Sequence, residues 1–229
     1  MVPPIGVLML DTQFQRLPGD IGNQASWKTP VIFNVVKGAN PALVVYGGAD
    51  GLLEPFITAA LELVAQGAKA ITTSCGFLAL FQKELSEAIP VPVFTSSLMQ
   101  APLIQATLPL GRKVGILTYS STSLGERHLL GAGVNPNTPI QGIAPGSLFS
   151  DYYGNKPCSA NFARFEADVL DAADRLVKNH SDVAAILCEC TNLPPHSASI
   201  ARATGLPVYD IIGFVEWIAR SITPPAYNN

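Results

Sequence analysis

The feature that most constrains the fold of this chain is an internal repeat. An apolar segment with glycine in second place, "IGVLML" at 5–10, returns as "VGILTY" at 114–119. Likewise "GAKAITTSC" (67–75) is matched by "SDVAAILCEC" (181–190), and "VPVF" (91–94) by "LPVY" (206–209). Cys75 and Cys190 are 115 residues apart in a chain of 229, and each lies 17 residues before the proline of its following segment. Matching segments in the same order predict two similar halves.

The repeated segments alternate between two kinds of predicted element. Seven short runs, aliphatic on both faces, are typical of buried parallel strands; they span 5–10, 42–47, 69–74, 91–96, 113–120, 183–188 and 206–211. The stretches 52–67 and 161–180 instead place apolar residues at helical spacing. Strands that alternate with helices predict the α/β class.

We therefore expect two pseudo-symmetric Rossmann-like domains, each a short parallel sheet flanked by helices, with a cleft between them. The first domain would comprise residues 1–110 together with 206–229, and the second residues 111–205. The tail at 210–222 has helical spacing and is expected to return to the first domain.

Composition excludes several classes of function. With 14 basic and 17 acidic residues, a net charge of −3 and no basic patch, the chain does not resemble a nucleic-acid-binding protein. No apolar run reaches the ~18–20 residues of a membrane span. The apolar N-terminus has no basic residue before Arg16, so it predicts a buried strand and not a signal peptide. Four cysteines without such a signal favour reduced thiols and a cytoplasmic location.

The repeat places Cys75 and Cys190 at equivalent strand ends. In open α/β sheets, ligands bind beyond the carboxyl ends of the strands. Two thiols that face one substrate carbon suit a two-base proton transfer, in which a thiolate removes a proton from one face and the opposing thiol returns one to the other. Each cysteine also precedes a predicted helix, where backbone N–H groups favour a thiolate or a bound carboxylate.

The remaining polar residues of these motifs have simpler interpretations. Cys188, on the apolar strand, is expected in the core, and Cys158, in a loop rich in Gly and Pro, is expected to be incidental. A Cys-x-Cys pair without a second Cys/His cluster does not predict a metal site. His196 is expected on the exposed face of a helix. No Gly-rich phosphate fingerprint follows a strand, so no cofactor is predicted.

The stretches "AITTSCGF" and "LCECTN" resemble the aspartate/glutamate racemase superfamily, which includes cofactor-independent racemases, maleate isomerase and arylmalonate decarboxylase. The resemblance spans nearly the whole chain and implies Cys75 and Cys190 as the catalytic pair. Where racemases have Cys-Asn-Thr, this chain has Cys75-Gly76-Phe77; where they have Cys-Thr followed by His or Glu, it has Cys190-Thr191-Asn192. Asn192 cannot titrate. Superfamily members often form dimers, which suggests a homodimer.

The resemblance also implies the substrate-binding residues. They are Asp11, Gly76, Phe77, Thr118, Tyr119, Thr122, Thr191 and Asn192. Arg16, in the loop after the first strand, is a further candidate because a guanidinium matches a carboxylate. Asp11 as a cap and Arg16 as a solvated surface residue are the alternatives.

The sequence thus predicts a cofactor-independent isomerase, namely an amino-acid racemase that acts on a small carboxylate-bearing substrate. Two alternatives stay open. One is maleate isomerase-like or decarboxylase chemistry of the same superfamily, and the other is a small-molecule binding protein that retains the cleft without turnover. The repeat favours Cys190 over Cys188 as the reactive thiol of its pair.

Overall fold

A computed structural model describes residues 2–227, so residues 1, 228 and 229 of the predicted first domain lie outside the described part. Two parallel sheets form its centre. In the first sheet the strand order is β2-β1-β3-β4. These strands are β1 (Ile5–Leu10), β2 (Val31–Val36), β3 (Ala70–Thr73) and β4 (Val93–Phe94).

The second sheet repeats this order as β6-β5-β7-β8. Its strands are β5 (Lys113–Thr118), β6 (Ile140–Gly142), β7 (Val183–Cys188) and β8 (Val208–Tyr209). The same order, shifted by four strands, confirms the predicted α/β fold with two similar sheets.

Eight α-helices connect the strands in the described chain and cover the sheets. They are α1 (Leu53–Ala65), α2 (Gln82–Ala88), α3 (Ala101–Thr107), α4 (Glu126–Gly131), α5 (Leu148–Tyr153), α6 (Phe162–Asn179), α7 (Ser197–Thr204) and α8 (Ile211–Ile222). The longest of them, α6, buries Phe165, Val169, Ala172, Ala173 and Leu176 along one face, as its helical spacing predicts. Within residues 2–227, every helix is too short or too polar to cross a bilayer.

One predicted strand is wrong. The segment 42–47 is not extended: Ala42–Tyr46 forms a wide helical turn after Pro41, and the strand that pairs with β1 is Val31–Val36. In this turn Val44 and Val45 are buried while Leu43 and Tyr46 are exposed. That pattern fits a turn of helix, but a run of five apolar residues is too short to distinguish it from a strand.

Helix α8 lies against the first sheet. Its buried residues Ile211, Phe214 and Val215 pack in one cluster with Ile5 and Val7 of β1. The chain reaches this position only after β8, which pairs with β7 of the second sheet. The last strand of the second sheet therefore lies within the segment 206–229 that was expected in the first domain, and the exact domain boundary stays a prediction.

Equivalent strands hold the two cysteine-bearing segments in the same way. The Ser74 N–H donates to the Leu8 carbonyl, and the Glu189 N–H donates to the Leu117 carbonyl, each over 2.8 Å. The halves are also joined directly, because the Thr191 hydroxyl donates to the Ser74 carbonyl over 2.6 Å. The carboxyl ends of β3 and β7 therefore meet.

Candidate active site

Where β3 and β7 meet, residues from both halves line one small cavity. Its volume is about 40 Å³. The wall is formed by Leu10, Thr12, Phe14, Arg16, Pro41, Val45, Ser74, Cys75, Gly76, Phe77, Tyr119, Tyr153, Glu189, Cys190, Thr191 and Asn192.

Cys75 follows β3 and is buried in this wall. Its backbone is extended, and the following residues Gly76–Phe81 form a short 3-10 helix. Burial, and to a lesser extent the nearby Glu189 carboxyl, raise the pKa of the Cys75 thiol to about 12. The Phe77 N–H, hydrogen-bonded to the thiol, and the Arg16 cation both lower it. Cys75 is thus held as a thiol, with two groups already placed to stabilise a thiolate.

Cys190 follows β7 in the equivalent surroundings. Burial raises the pKa of its thiol well above the ordinary value; Glu189 also raises it, and a hydrogen bond from the Asn192 N–H lowers it. Each thiol thus accepts the N–H of the residue two positions later, Phe77 for Cys75 and Asn192 for Cys190. The Cys190 thiol also contacts the Asn192 side-chain oxygen at 3.6 Å. The charge nearby differs, because Asp20 raises the pKa of Cys190 whereas Arg16 lowers that of Cys75.

Arg16 is held in the wall by the loop after β1. Its guanidinium donates to Asp20 Oδ1 and to Thr12 Oγ1, each over 3.0 Å, and lies 4.5 Å from the centre of the Phe14 ring. Asp20 is fully buried, and its other oxygen accepts from the Asn192 side-chain amide at 2.5 Å. Because a guanidinium has five N–H donors, Arg16 retains donors for a ligand.

Glu189 lies in the cavity wall near both thiols and was not singled out from the sequence. It is fully buried, and its Oε2 accepts a 2.6 Å hydrogen bond from the Thr118 hydroxyl. Within residues 2–227, no group hydrogen-bonds to its Oε1. Burial raises the pKa of this carboxyl from 4.5 to about 7, although the Thr118 hydrogen bond lowers it. The only feature of the sequence that could have identified Glu189 is its position between Cys188 and Cys190.

The structure brings most of the sequence-predicted residues to the cavity. Those in the wall are Arg16, Cys75, Gly76, Phe77, Tyr119, Cys190, Thr191 and Asn192. Thr118 does not line the cavity, but its hydroxyl donates a hydrogen bond to Glu189 Oε2.

Two predicted binding residues lie elsewhere. The Asp11 carboxylate accepts from the Gly38 N–H at 3.2 Å, as a loop cap does, and Thr122 is exposed with its hydroxyl 3.2 Å from that of Ser120. Neither side chain belongs to the cavity wall.

Phe14 and Tyr153 reach the cavity without having been expected there. Their rings pack edge to face at 5.0 Å. They come from the first loop and from α5, and no local pattern links the two.

The prediction that His196 is exposed is wrong. Its ring is fully buried beside Phe149 and Phe162, and neither ring nitrogen has a hydrogen-bond partner within residues 2–227. Burial lowers the pKa of this imidazole from 6.5 to about 4. In the same part of the chain, no three His, Cys, Asp or Glu side chains come together as ligands for a metal ion.

Comparison with known proteins gives relatives by sequence and by fold. No family model matches the chain. A dimethylsulfoniopropionate lyase of Durusdinium sp. clade D is 32% identical over 224 residues, which are 94% of this chain and 74% of that protein. Dimethylsulfoniopropionate lyase 7 of Emiliania huxleyi is 33% identical over 92% of this chain and 64% of its own length.

Solved structures with the same fold are more distant in sequence. Unliganded arylmalonate decarboxylase superposes with a TM-score of 0.61 and 19% identity, covering 99% of this chain and 94% of that one. The aspartate racemase of Picrophilus torridus gives a TM-score of 0.59 at 14% identity, covering 96% and 92%. The chain therefore has the same fold as these two proteins.

Proposed function

This chain belongs to the family of the dimethylsulfoniopropionate lyases, and from that premise we propose that it is a lyase that eliminates a sulfide from a small carboxylate-bearing sulfonium compound. Dimethylsulfoniopropionate is the candidate substrate. The observation that carries the proposal is the buried pair Cys75 and Cys190 in a cavity that also contains Arg16. A base, a carboxylate-binding group and exclusion of water are what such an elimination needs.

The proposed reaction is a β-elimination. A cysteine thiolate removes a proton from the carbon next to the substrate carboxylate. The electron pair of that C–H bond forms a carbon–carbon double bond, while the bond from the β-carbon to the sulfonium sulfur breaks and its electrons remain on sulfur. The products are acrylate, neutral dimethyl sulfide and a proton, which the thiol later returns to solvent. No cofactor takes part.

Cys75 is the better candidate for the base. The Arg16 cation lowers the pKa of Cys75, whereas the Asp20 anion raises the pKa of Cys190. A nearby positive charge favours the thiolate. Cys190 would face the substrate from the other half, with its thiol protonated.

Arg16 is the proposed partner of the substrate carboxylate. Only one of its contacts, Asp20, is an anion, and other N–H donors of the guanidinium remain for a ligand. Charge-assisted hydrogen bonds of this kind are roughly twice as strong as neutral ones. They also stabilise the negative charge that grows on the carboxylate as the neighbouring proton leaves.

Amino-acid racemisation is the second candidate function. It is favoured by the symmetric placement of the thiols, each of which accepts a hydrogen bond from the N–H two residues later. An elimination needs one base, whereas racemisation needs an acid and a base on opposite faces. The racemase predicted from the sequence thus stays a prediction.

One experiment separates these functions. The purified chain is incubated in D2O with dimethylsulfoniopropionate and, separately, with both enantiomers of aspartate and glutamate, several hydantoins, maleate and an arylmalonate. Dimethyl sulfide is measured by headspace gas chromatography, and acrylate and deuterium incorporation by NMR. Dimethyl sulfide and acrylate in equal amounts, lost in Cys75→Ser, support the lyase. Deuterium incorporation with inversion of an amino acid, and no dimethyl sulfide, would instead support the racemase.

A further inference from the structure

The proposed proton transfer by the two thiols assigns no role to Glu189, although this residue lies in the cavity wall. Its position is equivalent to Ser74 in the other half, since both backbones make the same 2.8 Å hydrogen bond to the central strand. Ser74 turns its hydroxyl back to accept from the Leu10 N–H. Glu189 extends a carboxyl into the cavity wall instead. The repeat therefore does not require an acid at this position.

The first half of the chain leaves space for this carboxyl. A Cβ at position 76 would overlap Glu189 Oε1 and would lie 2.6 Å from the Glu189 carbonyl oxygen. Only glycine at 76 accommodates the side chain as it stands. Gly76, which stands where racemases have asparagine, thus lies directly against the Glu189 carboxyl.

The carboxyl is incompletely satisfied. Thr118 donates to Oε2, and Oε1 has no partner among the described residues although it is fully buried. A buried polar atom without a partner is costly unless a ligand completes it. Arg16, the cation in the wall, is already paired with the buried Asp20. When Glu189 ionises, the cavity therefore gains a negative charge that no described residue neutralises.

We propose that Glu189 binds the cationic end of the substrate, a sulfonium or a quaternary ammonium group, while Arg16 binds its carboxylate. This inference rests on the proposed function for the identity of the substrate, but the cation site itself does not depend on turnover. Aromatic rings of Phe77, Tyr119 and Tyr153 also line the cavity, and such rings attract methylated cations. Glu189 thus sets specificity, and the thiols carry out the proton transfer.

Two unreactive ligands of nearly the same shape test the proposal. In 3-(trimethylammonio)propionate the terminal group is a cation, whereas in 4,4-dimethylpentanoate it is a neutral tert-butyl group. Their dissociation constants are measured by calorimetry at pH 8 for the wild type, Glu189→Gln and Glu189→Asp. Glu54→Gln, an exposed acid outside the cavity, is the matched control.

The expected result is selective loss of cation binding. Glu189→Gln should weaken binding of the ammonium ligand by about tenfold or more and change binding of the neutral ligand by less than about threefold. Glu189→Asp should retain part of the preference for the ammonium ligand over the neutral ligand, and Glu54→Gln should retain all of it. If Glu189→Gln does not fold, as judged by circular dichroism, Glu189→Asp decides alone: it must then weaken the cation more than the neutral ligand.

Three results would overturn the proposal: equal weakening of both ligands, no change in either, or loss of turnover with unchanged cation binding. The last would make Glu189 a base. Failure of the proposed function looks different. If the wild type prefers the cationic ligand through Glu189 but releases no dimethyl sulfide, the cation site is supported and the lyase activity is not. If dimethyl sulfide is released and Glu189→Gln has the same KM as the wild type, the lyase activity is supported and the cation site is not.

Discussion

The carboxyl of Glu189 occupies the space that any side chain at Gly76 would need. The two residues come from different halves of the chain, 113 positions apart, and they meet in the cavity wall. With Glu189 in this position, any residue other than glycine after Cys75 would overlap the carboxyl.

Gly76→Ala should therefore destabilise the protein by roughly 1–3 kcal/mol, as overpacking of a core does. The variant Gly76→Ala combined with Glu189→Ala should lose less than the sum of the single changes, because the overlap with the carboxyl is then gone. The Glu189 carbonyl oxygen still crowds the added methyl group, so the recovery should be partial. Urea unfolding of the four proteins in a double-mutant cycle measures the coupling.

The control for this cycle is Gly125→Ala. A Cβ at position 125 meets no atom within 4 Å, and the φ angle of −89° suits any residue. Because Gly125 is the N-cap of α4, where alanine is less favourable than glycine, Gly125→Ala should lower the free energy of unfolding by up to about 1 kcal/mol and should show no coupling to Glu189→Ala. Coupling near zero between positions 76 and 189 would contradict the packing described here.

Cys75→Ser should lower kcat by at least about 100-fold and Cys190→Ser by less, while the melting temperature changes little in both. A serine hydroxyl is a far weaker acid than a thiol and cannot supply the base. For elimination the loss should be larger in Cys75→Ser, because Arg16 favours ionisation of that thiol. Dimethyl sulfide release under saturating substrate measures the effect.

Cys188→Ser and Cys158→Ser are the matched controls. Cys188 is buried within the second sheet, where Ser197 is its hydrogen-bond partner, and Cys158 is exposed. Neither belongs to the cavity wall, so both variants should keep most of their activity. Loss of activity in Cys188→Ser with full activity in Cys190→Ser would mean that the two halves have been aligned incorrectly.

The ionisation of Glu189 should make the stability of the protein depend on pH. Its pKa is about 7 in the folded state and 4.5 ordinarily, so the folded state holds a proton that the unfolded state has lost between these values. The contribution of Glu189 to stability is therefore greatest below about pH 4.5 and falls as pH rises through 7, by at most roughly 3 kcal/mol.

Glu189→Gln removes this dependence. The nearby thiols Cys75, Cys188 and Cys190 have raised pKa values and stay protonated in this range. The difference in unfolding free energy between Glu189→Gln and wild type should therefore grow in favour of the variant from pH 5 to pH 8. A constant difference would show that the carboxyl is not desolvated.

The ionisation of His196 should have the opposite effect on stability, lowering the free energy of unfolding as pH falls. Its imidazole has a pKa of about 4 when folded, against 6.5 ordinarily, so the unfolded state takes up the proton first as pH falls. Its contribution to stability is present above about pH 6.5 and is lost as pH falls towards 4. His196→Leu should lose less stability than the wild type between pH 7 and pH 5, as measured by urea unfolding.

Much of the architecture could be predicted from the sequence, and for a local reason. Aliphatic runs and helical spacing are properties of adjacent residues, and the repeat of 115 residues aligned Cys75 with Cys190 before any contact was known. The parallel sheets and the location of both cysteines at strand ends follow from that pattern. Where the pattern was short, as at Ala42–Tyr46, the predicted strand was wrong.

The tertiary structure alone decided which side chains meet in the cavity. Glu189 and Gly76 belong together only because β3 and β7 end at the same place, and Tyr153 arrives from α5. Asp11 and Thr122 follow strands as a binding residue should, yet they turn to loop contacts instead. A sequence pattern fixes the alternation of buried and exposed faces along one element, but which buried groups face each other depends on packing between elements far apart in the chain.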